Sequence, residues 1–126
     1  MPEATERQSA GNAAETAALA HLQAHGLQLV QRNARFKVGE IDLVMRDGET
    51  VVFVEVRLRN ASGWGDGFDS VDRRKRRKLV RAAQAWLAGR PALADATCRF
   101  DVVAVRGSGG EASVDWLQAA FSAGDV

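Results

Sequence analysis

Apolar residues recur along this chain with two different periods, and the changes of period divide it into elements. From Asn12 to His25 they fall three and four apart, with Ala18, Leu19 and Leu22 on one stripe, which predicts a helix closed by Gly26. Leu27 to Arg32 predicts a short strand. Two more strands are predicted over about 39–46 and 50–59, where Ile41, Leu43 and Met45 alternate with other residues and Val51, Val52, Phe53, Val54 and Val56 are β-branched or aromatic. A glycine-rich loop, NASGWGDGFDS, leads to a second helix from a cap at Asp69 or Ser70 to about Ala88. Val71, Leu79, Ala82, Ala83 and Trp86 form its buried side, and Gly89 and Pro91 stop it. CRFDVVAV predicts a buried strand over 98–105; after the polar GSGGE break, a short strand around Ser113 to Trp116 and a final turn or helix follow. The order αβββαβ predicts an α/β fold, a mixed sheet between helices, in one domain over residues 1–126 with flexible ends at about 1–9 and 119–126.

The strands around residue 47 carry the candidate chemistry. Asp47-Gly48 is the dipeptide that a two-residue type I′ turn prefers, because both central positions need a positive φ. Placing Arg46 opposite Glu49 sets Asp42 opposite Phe53 and Glu40 opposite Glu55. Glu40, Asp42, Glu55 and Arg57 then share one face, with Asp42 and Glu55 diagonal neighbours at roughly 7–8 Å, a gap that two carboxylates reaching for one cation can close. A slip of one residue would put Asp42 on the opposite face, so the site depends on the turn.

Composition sets outer limits. The chain has 126 residues, nearly half of them apolar, which suits one globular domain. No stretch approaches the roughly 18–20 apolar residues that span a bilayer, and MPEATERQ has no apolar core of a signal peptide, so a cytoplasmic location is expected. Cys98 is alone, which excludes an internal disulfide and predicts a small core residue. The net charge of +1 hides an asymmetry: RRKRRKLVR, residues 73–81, holds seven of the 17 basic residues and no acid. The other 10 bases against 16 acids leave the remainder at −6. A basic surface beside an acidic pocket suits a protein that holds phosphates and binds metal.

Each candidate also has an ordinary structural role. Glu15 shares the helical stripe and would face the sheet, yet Asn12-x-x-Glu15 also fits a capping box, the role its residues alone favour. Asp42 and Glu55 could pair with Arg46, Arg57 or Arg59, but two acids among Ile41, Leu43, Val54 and Val56 are unusual in strands. Glu40 is at most an outer ligand. Asp101 is expected to be a buried partner of an arginine, and His21 and His25 surface residues, since Leu22 stands where a zinc-binding helix of this spacing has glutamate. On the second helix Arg73, Arg74, Lys75, Arg77 and Lys78 repel one another unless an anion neutralises them, as a nucleic-acid backbone would. Lys75, one turn from Val71 and Leu79, is placed at the buried edge; Trp64 in the glycine-rich loop could stack on a base.

Together these residues resemble the PD-(D/E)XK nuclease pattern: helical Glu15, Asp42 on one strand, then Glu55-Val56-Arg57 on the next. More closely, GEIDLV, VFVEVRLR, VDRRKRRKL and CRFDVV resemble the YraN-like bacterial family over about residues 11–105, a family similar in layout to archaeal Holliday junction resolvases. The resemblance implies a restriction-endonuclease-like fold and metal-dependent cleavage of DNA, branched forms included. Asp42 and Glu55 would hold Mg²⁺ or Mn²⁺ and Glu15 would be the helical carboxylate beside it, which raises Glu15 above the cap role. Arg57 replaces the pattern's lysine; arginine stays protonated, so it can orient water or stabilise phosphate charge but cannot be a general base. A homodimer follows only by analogy with junction-cutting relatives. The alternative function is a non-catalytic nucleic-acid-binding or adaptor protein on the same fold, and a third is a protein-interaction module.

Overall fold

The structure is a computed structural model. It describes the backbone of residues 6–59, 72–107 and 112–125 and the side chains of 11–59, 72–107 and 112–124. Helix α1 (Glu6–Ala24) closes as a Schellman turn: Gly26, at φ 91°, donates its amide to Gln23, and the amide of Leu27 reaches back to the Leu22 carbonyl at 3.1 Å. Leu22 and Leu27 are both buried, so the same turn sends the chain into the sheet.

Strands β1 (Gln28–Phe36), β2 (Gly39–Asp47) and β3 (Thr50–Leu58) form an antiparallel meander. Helix α2 (Arg73–Ala88) and a 3₁₀ turn (Pro91–Leu93) precede β4 (Cys98–Arg106), which pairs parallel with β3; β5 (Ser113–Phe121) returns antiparallel along β4, ahead of a last 3₁₀ turn (Ala123–Asp125). The sheet order is β1-β2-β3-β4-β5. Its layers are those of the restriction-endonuclease-like α/β fold implied by the motifs. The order is αβββαββ rather than αβββαβ, because β5 is a full nine-residue strand and not a short one. Regular structure also reaches further than expected at both ends, since α1 begins at Glu6, β1 runs on to Phe36 and β5 ends at Phe121. Among the described residues no helix is long and apolar enough to cross a membrane.

Both faces of the sheet are covered, which is why Val51 to Val54 form an unbroken buried run. On one face Val51 and Phe53 pack with Leu79, Val80, Ala83 and Trp86 of α2; on the other Val52 and Val54 pack with Ala14, Ala18 and Leu22 of α1. The second helix is capped by Asp72, whose side chain accepts the Lys75 amide at 2.9 Å, and not by Asp69 or Ser70, which with Val71 lie outside the described residues. Cys98 is half-buried and donates to the Ala96 carbonyl at 3.5 Å; burial raises its pKa.

Asp101 ties β5 to the sheet. Fully buried, it accepts from Arg99 Nε at 3.1 and 3.2 Å, from the Trp116 indole at 2.9 Å and from the Ala119 amide at 2.9 Å, where Ala119 turns to φ 48°. Its expected arginine partner is therefore Arg99. Asp101→Ala strands the Trp116 and Ala119 donors and leaves Arg99 only its pair with Asp47 at 2.8 Å; it is expected to cost about 2–4 kcal/mol, read as a lower denaturation midpoint, and a loss below about 1 kcal/mol would contradict this role.

Candidate active site

The β2–β3 loop is two residues long, but its central pair is Gly48-Glu49, with Asp47 opposite Thr50. Among these, only Gly48 has a positive φ (61°), which is what a loop with glycine first requires, whereas the type I′ turn expected for Asp47-Gly48 needs two. Sliding the loop by one residue moves the register by two, so the faces are preserved. Asp42 is consequently level with Glu55, one step past the last ladder pair Leu43–Val54, rather than diagonal to it.

At that step β2 parts from β3. The Val56 amide, beyond the ladder, donates to Asp42 Oδ2 at 2.8 Å, which pins the carboxylate at the fork. Alternation fails here too: Ile41 packs into the α2-side core while Leu43 packs into the α1-side core. In β1, Asn33 lies between the pairs Arg32–Leu43 and Ala34–Ile41, hence opposite Asp42, and takes a left-handed φ of 53°, which asparagine tolerates better than most residues.

Asp42 and Glu55 form the floor of a pocket of about 270 Å³ also lined by Gly39, Glu40, Arg57, Lys75, Lys78 and Leu79. Arg57 Nη1 donates to Glu55 Oε1 at 3.3 Å. Burial, then the neighbouring Glu55, pushes the Asp42 acid up to about 8 against the pull of the Val56 amide. Glu55 is raised as well, by burial first, while Arg57, a hydrogen bond with Asp42 and the Lys75 charge act the other way. Both groups therefore hold a proton more tightly than free carboxylates do, a cost that a bound cation would relieve. Hard oxygen donors of this kind suit Mg²⁺ or Mn²⁺, which are commonly held by one or two carboxylates with water and phosphate oxygens.

Glu15 stands apart from this pocket. It is in the middle of α1, several turns after Glu6, so it cannot form a capping box with Asn12, whose carbonyl instead accepts the Thr16 hydroxyl. Its Oε1 is buried and 3.6 Å from Arg32 Nη2, an ion pair too long for a hydrogen bond. Burial raises its pKa and Arg32 offsets part of that. It is close enough to Asp42 to raise the latter's pKa, but among the described residues no three His, Cys, Asp or Glu side chains form a metal-binding group. The structure therefore brings together Asp42, Glu55, Arg57 and Lys75, with Glu15 only a neighbour.

The basic helix presents its charges unevenly. Lys75 and Lys78 are exposed and line the pocket; Arg73, Arg74 and Arg77 are exposed and do not; Arg76 leans over the Phe121 ring, 5.5 Å from its centre. Trp64 lies outside the described residues. His21 and His25 stack with ring centres 4.4 Å apart and meet Trp116 edge-on, so they serve packing at the end of α1, His21 half-buried rather than fully on the surface.

One determinant escaped sequence reasoning. A Cβ on Gly39 would lie 2.9 Å from the Lys78 carbonyl oxygen, so glycine here lets α2 press its backbone against the start of β2 and carry Lys75 and Lys78 over the acids. The signal was Gly39 next to Glu40, which reads equally well as a turn.

The raised Asp42 acid has a signed consequence. Between the unfolded value near 3.8 and the folded value of about 8, the folded chain holds a proton that the unfolded chain has released, so this contribution to stability falls as pH rises through that window. Asp42→Asn keeps the acceptor for Val56 and removes the titration. Without divalent ions, its melting temperature relative to wild type is expected to climb from about pH 5 to about pH 9 and exceed it at the upper end. Parallel profiles would refute the buried-pair assignment.

The uncharacterised protein family UPF0102 matches residues 14–105, from α1 to the end of β4. A UPF0102 protein of Xanthomonas campestris pv. campestris (strain B100) is 54% identical over 125 residues, 99% of each chain. Another, of Pseudomonas syringae pv. syringae (strain B728a), is 53% identical over 116 residues, 91% of this chain and 94% of its own. A third, of Stutzerimonas stutzeri (strain A1501), is 49% identical over 117 residues, 93% and 98% of the two chains. The chain resembling YraN-like proteins therefore belongs to the UPF0102 family.

Proposed function

We propose that the Asp42–Glu55 pocket is the catalytic site of a metal-dependent endonuclease that hydrolyses DNA phosphodiester bonds. The observation that carries this reading is a largely buried carboxylate pair beneath a rim of Arg57, Lys75 and Lys78. Buried acids crowded together cost stability, and that cost has a purpose where a cation is to be held. Asp42, fixed by the Val56 amide, and Glu55, steadied by Arg57, are the residues that would hold Mg²⁺ or Mn²⁺. When bound, such an ion supplies Lewis acidity to the phosphoryl oxygens and a more acidic water.

The chain's own groups account for the remainder. Arg57 stays charged throughout, so it neutralises phosphate and leaves proton abstraction to other groups. Lys75, drawn electrostatically to Glu55, is placed to meet a phosphate entering over the acids. The start of α2 supports the same reading: its first turn has four basic residues and no acid, the wrong sign for a helix N-terminus unless an anion arrives there. A non-catalytic nucleic-acid-binding protein would share the basic helix, but that helix gives no reason for burying the acids.

The test is cleavage of linear, single-stranded, flapped and four-way DNA with Mg²⁺ or Mn²⁺, comparing wild type with Asp42→Asn and Glu55→Gln purified identically. Metal-dependent cutting by wild type is expected to fall by about 100-fold or more in each variant, the scale of losing one group that stabilises charge at the reacting centre. Cutting that survives both substitutions would remove the site. DNA binding without cutting by wild type would favour the non-catalytic protein.

A further inference from the structure

The acidic pocket does not end at Gly39. A second hollow, of about 340 Å³, shares Gly39, Glu40 and Lys78 with it and continues along the β1–β2 turn past Arg35, Phe36, Lys37 and Val38. We infer that this continuation is a second phosphate subsite, in which Lys37, Lys78 and Arg35 hold a phosphate neighbouring the reacting one on the same nucleic-acid strand. The inference rests on the nuclease reading and deepens it: the substrate is a strand that extends beyond the scissile bond, not an isolated phosphodiester.

Three observations converge. The two hollows share a wall because the Gly39 backbone approaches the α2 backbone at Lys78, where an added Cβ would lie 2.9 Å from the carbonyl oxygen; α2 and the β1–β2 turn thereby form one basic wall. The charges are complementary to a polyanion, since the far hollow has three cations and one acid. That acid, Glu40, lies at the junction, ion-paired with Arg35 at 3.6 Å while both side chains remain more than half exposed. Arg35 thus exchanges a weak solvated partner for phosphate when a strand arrives. Finally, Val38 is an apolar side chain left 43% exposed at the turn beside these cations, which gives a sugar or base a surface that inorganic phosphate would not use.

The test is the salt dependence of binding of the full chain to a labelled single-stranded oligonucleotide, by fluorescence anisotropy with EDTA present. Each lost phosphate contact flattens the slope of log K against log salt by roughly 0.7 on a single strand, so Arg35→Ala/Lys37→Ala, which strips two of the three cations from one phosphate, is expected to flatten it by about 0.7. Arg46→Ala, an exposed arginine at the other end of β2, is expected to leave it unchanged. Glu40→Gln, which removes the competing acid, is expected to tighten binding. An unchanged slope in the double variant, or equal flattening by Arg46→Ala, would overturn the subsite while leaving the nuclease reading intact. No binding by folded wild type would overturn both.

Discussion

Two carboxylates placed side by side where β2 separates from β3 constrain the rest of this molecule. Asp42 and Glu55 are both raised in pKa by burial, and the charge of Glu55 raises Asp42 further, an arrangement no chain adopts for stability. What holds them is mostly backbone. The β3–β4 ladder runs parallel from Val51 to Leu58, so β3 stays straight past the point where β2 leaves it, and the Val56 amide exposed by that parting is occupied by Asp42. The two helical layers bury enough of β3 to offset the repulsion, and Asp101, with its four hydrogen bonds from Arg99, Trp116 and Ala119, secures the outer strand that shields β4.

Charge is partitioned to match. Acids are at the floor, and Lys75, Lys78 and Arg57 are at the rim, brought there by the contact between Gly39 and the α2 backbone. A basic first turn weakens α2 on its own, and only Asp72 satisfies the helix end locally. Departures from local stability therefore cluster around one pocket, which is the distribution expected of a working site.

Much of this was legible in the chain. Alternation from Leu43 to Met45, the β-branched run from Val51 and the glycine at 48 define the hairpin up to the fork, where Ile41 breaks the alternation, and a two-residue loop preserves which side chains share a face even though it slides by one position. That is why Asp42 and Glu55 meet despite a different register. The loop position was not legible, because Asp47-Gly48 and Gly48-Glu49 both make acceptable turns and only cross-strand packing chooses between them. The cap role that the residues alone favoured for Glu15 fails for a different reason. A helix start is read from its cap, and Asn12 looks like one, but α1 extends back to Glu6 and leaves Glu15 paired with Arg32. The left-handed Asn33 and the tight Gly39 depend on tertiary approach between segments, which period and propensity do not encode.

On the proposed function, a divalent cation held by Asp42 and Glu55 displaces the proton that burial favours there. The most direct measurement is calorimetric titration of Mn²⁺ into the protein near neutral pH in buffers of different ionisation enthalpy, which counts protons released on binding. The account predicts release approaching one proton per ion, abolished with the binding itself in Glu55→Gln. Binding without proton release, or binding unchanged in that variant, would contradict it.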